Sequence, residues 1–152
     1  MRKLNSKHIA WLIPPAYLIH LLDEYFFAEG LPNWISVVFN ISLSVDDFIV
    51  INSIGFAVVL IIITLYSLDK IGHFFPAALG VLFFSNGIIH LVASIFTALL
   101  SPGTISGVIV YISLGILMFK KILPLLPGQQ RYLSVATGII LHIIVSVIAF
   151  NI

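Results

Sequence analysis

The stretch His20-Leu21-Leu22-Asp23-Glu24 puts a histidine and two carboxylates inside an apolar run that extends from His8 to Ala28. A run of about 20 mostly apolar residues is long enough to cross the hydrocarbon of a bilayer. Ionisable groups at membrane depth are costly and need partners. The run therefore reads as a membrane span with a polar site near one end. The rest of the chain is where the partners of that site must be found.

Composition points the same way. The chain has 152 residues, 61% hydrophobic and 9% charged, with a mean hydropathy of +1.19. Soluble domains carry about 25% charged residues. The expectation is an all-α integral membrane protein with a single transmembrane domain. A formal charge of +1 offers no electrostatic basis for a nucleic-acid partner. Without cysteine there is no disulfide framework and no thiolate chemistry. The basic start resembles a signal peptide, but no small-x-small site ends the first apolar run. Asp23 and Glu24 stand where one would fall, so it reads as a retained span.

Five segments are long and apolar enough to span: 8–28, 47–68, 74–99, 104–123 and 131–150. Pro14 and Pro15 should kink the first or delay its start. Residues 31–44 are apolar but too short to cross. Trp34 suits an interface, and Ser36, Asn40 and Ser44 recur every four residues. A short interfacial or shallow re-entrant segment between helices 1 and 2, possible as a lid, is expected there. Five spans put Arg2, Lys3, Lys7, Lys70, Lys120, Lys121 and Arg131 on one side. By the positive-inside rule that side is cytoplasmic, with the N-terminus inside and the C-terminus outside.

Depth then groups the polar residues. Measured from the outer helix ends at about 1.5 Å per residue, Glu24 lies roughly 6 Å in and His20 roughly 12 Å. Asn52 lies roughly 8 Å in, His90 roughly 14 Å and His142 roughly 12 Å, with Asn86 nearer the midplane. The fourth segment has no ionisable group until its cytoplasmic end and reads as scaffold. His20 and Glu24 are i, i+4, as are Asn86 and His90, so each pair shares a helix face. Asp23 and Glu24 have no Lys or Arg at their depth, so they must take a proton, reach water or bind a metal. Imidazole with carboxylate suits a divalent metal, zinc first among them. The plain alternatives are a wet helix end for Asp23 and Glu24, a packing histidine for His142, and interhelical hydrogen bonds for Asn52 and Asn86.

At these residues the sequence resembles a family of small bacterial integral membrane proteins of unknown function, named for an HXXEE motif. The similarity runs from His20-Leu21-Leu22-Asp23-Glu24 through Pro32-Asn33-Trp34, Asn86-Gly87-Ile88-Ile89-His90 and Ser101-Pro102-Gly103-Thr104. The family pattern has two glutamates after the histidine, and here the first is Asp23. The resemblance implies that His20, Asp23, Glu24, Asn86 and His90 belong together in a protein of the bacterial cytoplasmic membrane. It implies no reaction.

The function expected first is an intramembrane metal-dependent enzyme, a hydrolase or transferase, acting on a lipid or lipid-linked substrate from the outer half of the membrane. His20, Glu24 and His90 would be the metal ligands. Asn86, His142 and Asn52 would supply a further ligand or support. Asp23 and Glu24 are the catalytic candidates, with Asp23 as base or as the group that orients His20. The alternatives are a proton- or cation-coupled carrier or sensor using the same cluster, a haem protein with two axial histidines, and an accessory subunit whose polar residues only fix helix packing. The sequence gives no oligomeric state.

Overall fold

In a computed structural model, residues 5–151 are described. They are helical throughout, with no strand among them. The chain opens with α1 (Ser6–Ala10) and α2 (Ile13–Phe26), followed by α3 (Gly30–Phe39), α4 (Val45–Ser67) and α5 (Phe74–Thr97). Next comes a composite helix made of α6 (Thr104–Ser106), a π-helical turn (Gly107–Ile112) and α7 (Ser113–Lys121). A 3-10 turn (Leu123–Leu125) leads to α8 (Gly128–Phe150).

Four of these are long and apolar enough to cross a membrane: Val45–Ser67, Phe74–Thr97, Thr104–Leu125 and Gly128–Ala149. Their outward faces carry exposed residues such as Ile54, Ile95, Phe96, Ile109 and Val147. Burying such a surface in lipid removes the aggregation hazard it would pose in water. This is a membrane protein of four long apolar helices, and their bounds fall within three residues of those expected.

The expected first span is different. It breaks at Trp11-Leu12 into α1 and α2, and the 14 residues of α2 fall short of the length needed alone. Pro14 and Pro15 are the cause. Neither has an N–H to bond the carbonyls of Ala10 and Trp11, so a new helix starts with both prolines in its first turn, where no donor is required. The break is clamped from outside. Trp11 Nε1 donates to Ser67 Oγ at 2.6 Å, and Lys7 Nζ reaches Ser67 O at 3.0 Å and Asp69 Oδ2 at 2.6 Å.

Residues 31–44 are also corrected in part. Gly30–Phe39 is a helix, but Ser36, Asn40 and Ser44 form no common face. Asn40 takes a left-handed conformation (φ 55°) that ends α3, and Ser44 caps α4 by accepting from Asp47 N at 3.0 Å. Ile35 of α3 packs with Leu43 and Phe48 in a small apolar cluster.

The main core lies toward the end where α1 begins. Ile9 and Ile13 meet Ile63 and Tyr66 of α4, Met118 of α7 and Ile122. The clamp at Lys7 brings the start of α1 to the turn between α4 and α5. Connectivity brings the turn between α7 and α8 to the same end, where Arg131 Nε and Nη2 donate to Leu126 O and Pro124 O at 2.7 and 2.8 Å. Lys7, Lys70, Lys120, Lys121 and Arg131 thus share one end of the bundle. Arg2 and Lys3, and the C-terminal Ile152, lie outside the described residues. The opposite end holds the polar residues.

Candidate metal centre

Three helices and one loop build the site. His20 and Glu24 sit one turn apart on α2 and His90 comes from α5; all three are buried. Glu24 Oε1 lies 3.3 Å from His20 Nε2 and 3.1 Å from His90 Nε2. One ligand atom from each residue falls within 4.8 Å of the others. The two imidazoles meet edge to face, with ring centroids 5.0 Å apart.

Ser106 of α6 fixes one ring. Its hydroxyl lies 2.7 Å from Asp23 Oδ2 and 2.8 Å from His20 Nδ1. An ionised carboxylate only accepts, so the single hydroxyl proton goes to Asp23, and His20 Nδ1 must be the donor to Ser106. Ser101 does the same for His90. Its hydroxyl donates to Pro102 O at 3.2 Å and is 3.2 Å from His90 Nδ1. In a neutral ring the other nitrogen then carries a lone pair. Both Nε2 atoms face Glu24 Oε1, and His20 Nε2 has no hydrogen-bond partner. Two imidazole nitrogens and one carboxylate oxygen converge in a buried space, an arrangement that suits a cation or a shared proton.

Asp23 has a second task. It accepts the backbone N–H of Ser106 at 2.8 Å. That N–H belongs to the first turn of α6, where no preceding carbonyl is available. A carboxylate on α2 thus caps the composite helix from across the bundle, favoured by the positive end of the helix dipole. Hydrogen bonds to a charged acceptor contribute about 1.5–3 kcal/mol each.

The loop Ser101-Pro102-Gly103-Thr104 forms a wall of the site. Ser94 Oγ accepts from Ser101 N at 2.9 Å and lies 2.7 Å from Thr104 Oγ1, tying the loop to α5. Gly103 has φ +87°, and a Cβ there would stand 2.8 Å from Glu24 Cγ, 2.9 Å from His90 Cε1 and 3.0 Å from His20 Cε1. Only glycine fits, because the conformation is left-handed and the three side chains already occupy the space. Behind His20, Tyr111 of the π-helical turn stacks on the ring at 4.1 Å. π-Helical turns recur at functional sites because they re-aim side chains within a helix.

The fourth expected segment, the composite helix, is therefore not mere scaffold: it supplies Ser106 and Tyr111, and it is entered through Gly103. Sequence reading quoted Ser101 in a motif without giving it a role in the site, and it missed Ser106 and Tyr111. Hydroxyls and phenols carry no charge to flag them in an apolar run. A serine three residues past a loop glycine, at a helix start, was the available signal. The remaining candidates fall elsewhere. Asn52 bonds Tyr17 Oη at 3.1 Å and Phe48 O at 2.9 Å, so it joins α4 to α2 and touches none of the three. Asn86 Oδ1 and His142 Nε2 are buried without a hydrogen-bond partner, and neither belongs to the group of three.

No curated protein and no solved structure matches the chain. A family described as "Protein of unknown function with HXXEE motif" matches residues 11–118. That range holds His20, Asp23, Glu24, His90, Ser101, Gly103, Ser106 and Tyr111, the whole of the site built above. The chain spells its own version His20-Leu21-Leu22-Asp23-Glu24, and it belongs to the HXXEE family.

Proposed function

We propose that the protein is an intramembrane metal-dependent enzyme, hydrolase-like, with His20, Glu24 and His90 as metal ligands. The observation that carries this is the aim of the two histidines: serine partners at both Nδ1 atoms turn both Nε2 atoms onto one carboxylate oxygen. Ligand atoms about 2.0–2.2 Å from a tetrahedral zinc stand about 3.3 Å apart. The two Nε2–Oε1 separations, 3.3 and 3.1 Å, suit that spacing. Zinc or another first-row divalent ion fits the two-imidazole, one-carboxylate set.

Bound there, the metal would supply a Lewis acid and a water acidic enough to ionise near neutral pH. The chain's own residues do the rest. Glu24 is the carboxylate nearest the reacting point and the group that exchanges a proton there. Asp23 acts through Ser106, holding His20 in one tautomer and one orientation. The loop at Gly103 closes one side and excludes water. The substrate class is a lipid or lipid-linked molecule, since the site lies within the membrane's depth. The same reading gives five spans, α1 and α2 together forming the first, with the site in the outer half of the bacterial cytoplasmic membrane. The end bearing Lys7, Lys70, Lys120, Lys121 and Arg131 would be cytoplasmic.

A second reading has its own observation. Asp23, Ser106, His20, Glu24, His90 and Ser101 form an unbroken series of polar contacts at 2.7–3.3 Å. Such a series suits proton relay in a carrier or sensor. A haem is disfavoured, because Glu24 stands between rings set at 76° to one another. Elemental analysis of protein purified in mild detergent separates the two main readings. A divalent metal is expected at one per chain in the parent and absent in His90→Ala. A parent that stays metal-free after supplementation with zinc, manganese and iron overturns the enzyme reading.

A further inference from the structure

A groove of about 410 Å³ opens on the outer surface of the bundle between the first segment and the composite helix. Leu12, Ala16 and Ile19 form one wall, and Ile109, Val110 and Ser113 form part of the other. Ser113 is the sole polar residue among those that line it. At 1.5 Å per residue the α2 wall runs about 10 Å from Leu12 to Ile19. One further turn along α2 from Ile19 is Asp23. One turn back along the composite helix from Val110 is Ser106. These two residues are bonded to each other, by the hydroxyl at 2.7 Å and the backbone N–H at 2.8 Å. Both walls of an apolar slot therefore lead to one polar pair, and His20 stands directly behind that pair.

We infer that the groove holds one hydrocarbon chain of a phospholipid, with its headgroup end directed at Asp23 and Ser106 beside the metal centre. The arrangement suits an amphiphile: the slot is apolar along its lined length, and Asp23 and Ser106 lie one turn beyond the end formed by Ile19 and Ile109. The occupant must come from the bilayer, because the open side faces lipid. The π-helical turn shapes the slot, since Ile109 and Val110 lie within it and Tyr111 of the same turn stacks on His20. This assigns the substrate class of the site and rests on the enzyme reading, because the headgroup end would meet the proposed ligands.

The test uses the full chain reconstituted in phosphatidylethanolamine–phosphatidylglycerol vesicles and re-extracted into mild detergent. Co-purifying phospholipid and bound metal are then measured on the same sample by native mass spectrometry and elemental analysis. The parent is expected to retain a single phospholipid. Ile109→Trp at one end and Ser113→Trp near the middle, which fill the slot from exposed positions, are expected to lose it. Val147→Trp, exposed on α8 away from the groove, is expected to keep it. Retention by both groove variants, or a parent that carries no lipid, overturns the inference. The expected lipid pattern without metal upholds the groove and overturns the enzyme reading. Metal with no retained lipid overturns the groove alone.

Discussion

At the scale of single residues, the site is decided by groups that carry no charge. Ser106 shows why. It links Asp23 to His20, so Ser106→Ala removes the acceptor of His20 Nδ1–H and one of the two donors to Asp23. Loss of such a support costs about 10–100-fold in metal affinity. Ser106→Ala should weaken zinc binding by that factor in competition with a chelator of known affinity, and Ser106→Thr should restore most of it. An unchanged affinity would mean that Ser106 serves only as a helix start. Gly103→Ala should be harsher. A left-handed alanine costs about 1–3 kcal/mol, and the new methyl would strike Glu24, His90 and His20. Loss of bound metal together with a lower thermal midpoint is expected; a variant that binds metal as the parent does would refute the packing account. The clustered residues themselves, His20, Glu24 and His90, were legible in the sequence because ionisable residues stand out against an apolar run. The residues that aim them were not, since a hydroxyl acquires meaning only from what lies across the bundle, 83 residues away in the case of Asp23 and Ser106.

At the scale of helices, the long elements could be read directly from hydropathy, and the break in the first could be read from Pro14 and Pro15. What could not be read was which helices touch. α5 packs against the π-helical turn with Gly87 facing Gly107, where a Cβ on Gly87 would stand 2.5 Å from Gly107 O. α5 also packs on α8, where Gly138 meets Ala78 O and Val81. The two glycines give separable predictions. Gly87→Leu must push α5 from the π-helical turn one turn before His90, so metal binding should be lost. Gly138→Leu wedges α5 from α8 three turns from His90, so stability should fall while the folded protein still binds metal. Overpacking typically costs about 1–3 kcal/mol, and each kcal/mol moves the thermal midpoint by about 2–4 °C at this size. Thermal scans with and without zinc check both: a zinc-induced rise that persists in Gly87→Leu and vanishes in Gly138→Leu would reverse the assignment. The apparent polar stripe at Ser36, Asn40 and Ser44 failed for a related reason. Asparagine tolerates the left-handed conformation that stops a helix, and a four-residue period in sequence does not reveal that stop.

For the molecule as a whole, the cations among the described residues gather at one end and the cluster of His20, Glu24 and His90 lies toward the other. The chain has no cysteine, so single cysteines report sidedness without background. Lys70→Cys and Gln129→Cys should react with a membrane-impermeant thiol reagent only after the inner face is exposed, and Glu29→Cys and Leu100→Cys should react from outside. All four positions are exposed. Labelling of Glu29→Cys from the inner face alone would overturn the proposed orientation. The bond from Asp23 to Ser106 also has a consequence in time. A ribosome adding about 5–20 residues per second needs roughly 4–17 s to make the 83 residues that separate the two. Through that interval Asp23 and Glu24 have entered, or wait to enter, the bilayer without the serine, the loop or His90 that later surround them. The first segment of the chain to be made thus waits for its partner on the composite helix. Its short, proline-broken helix suits a nascent segment that waits for the composite helix to arrive and be capped by Asp23.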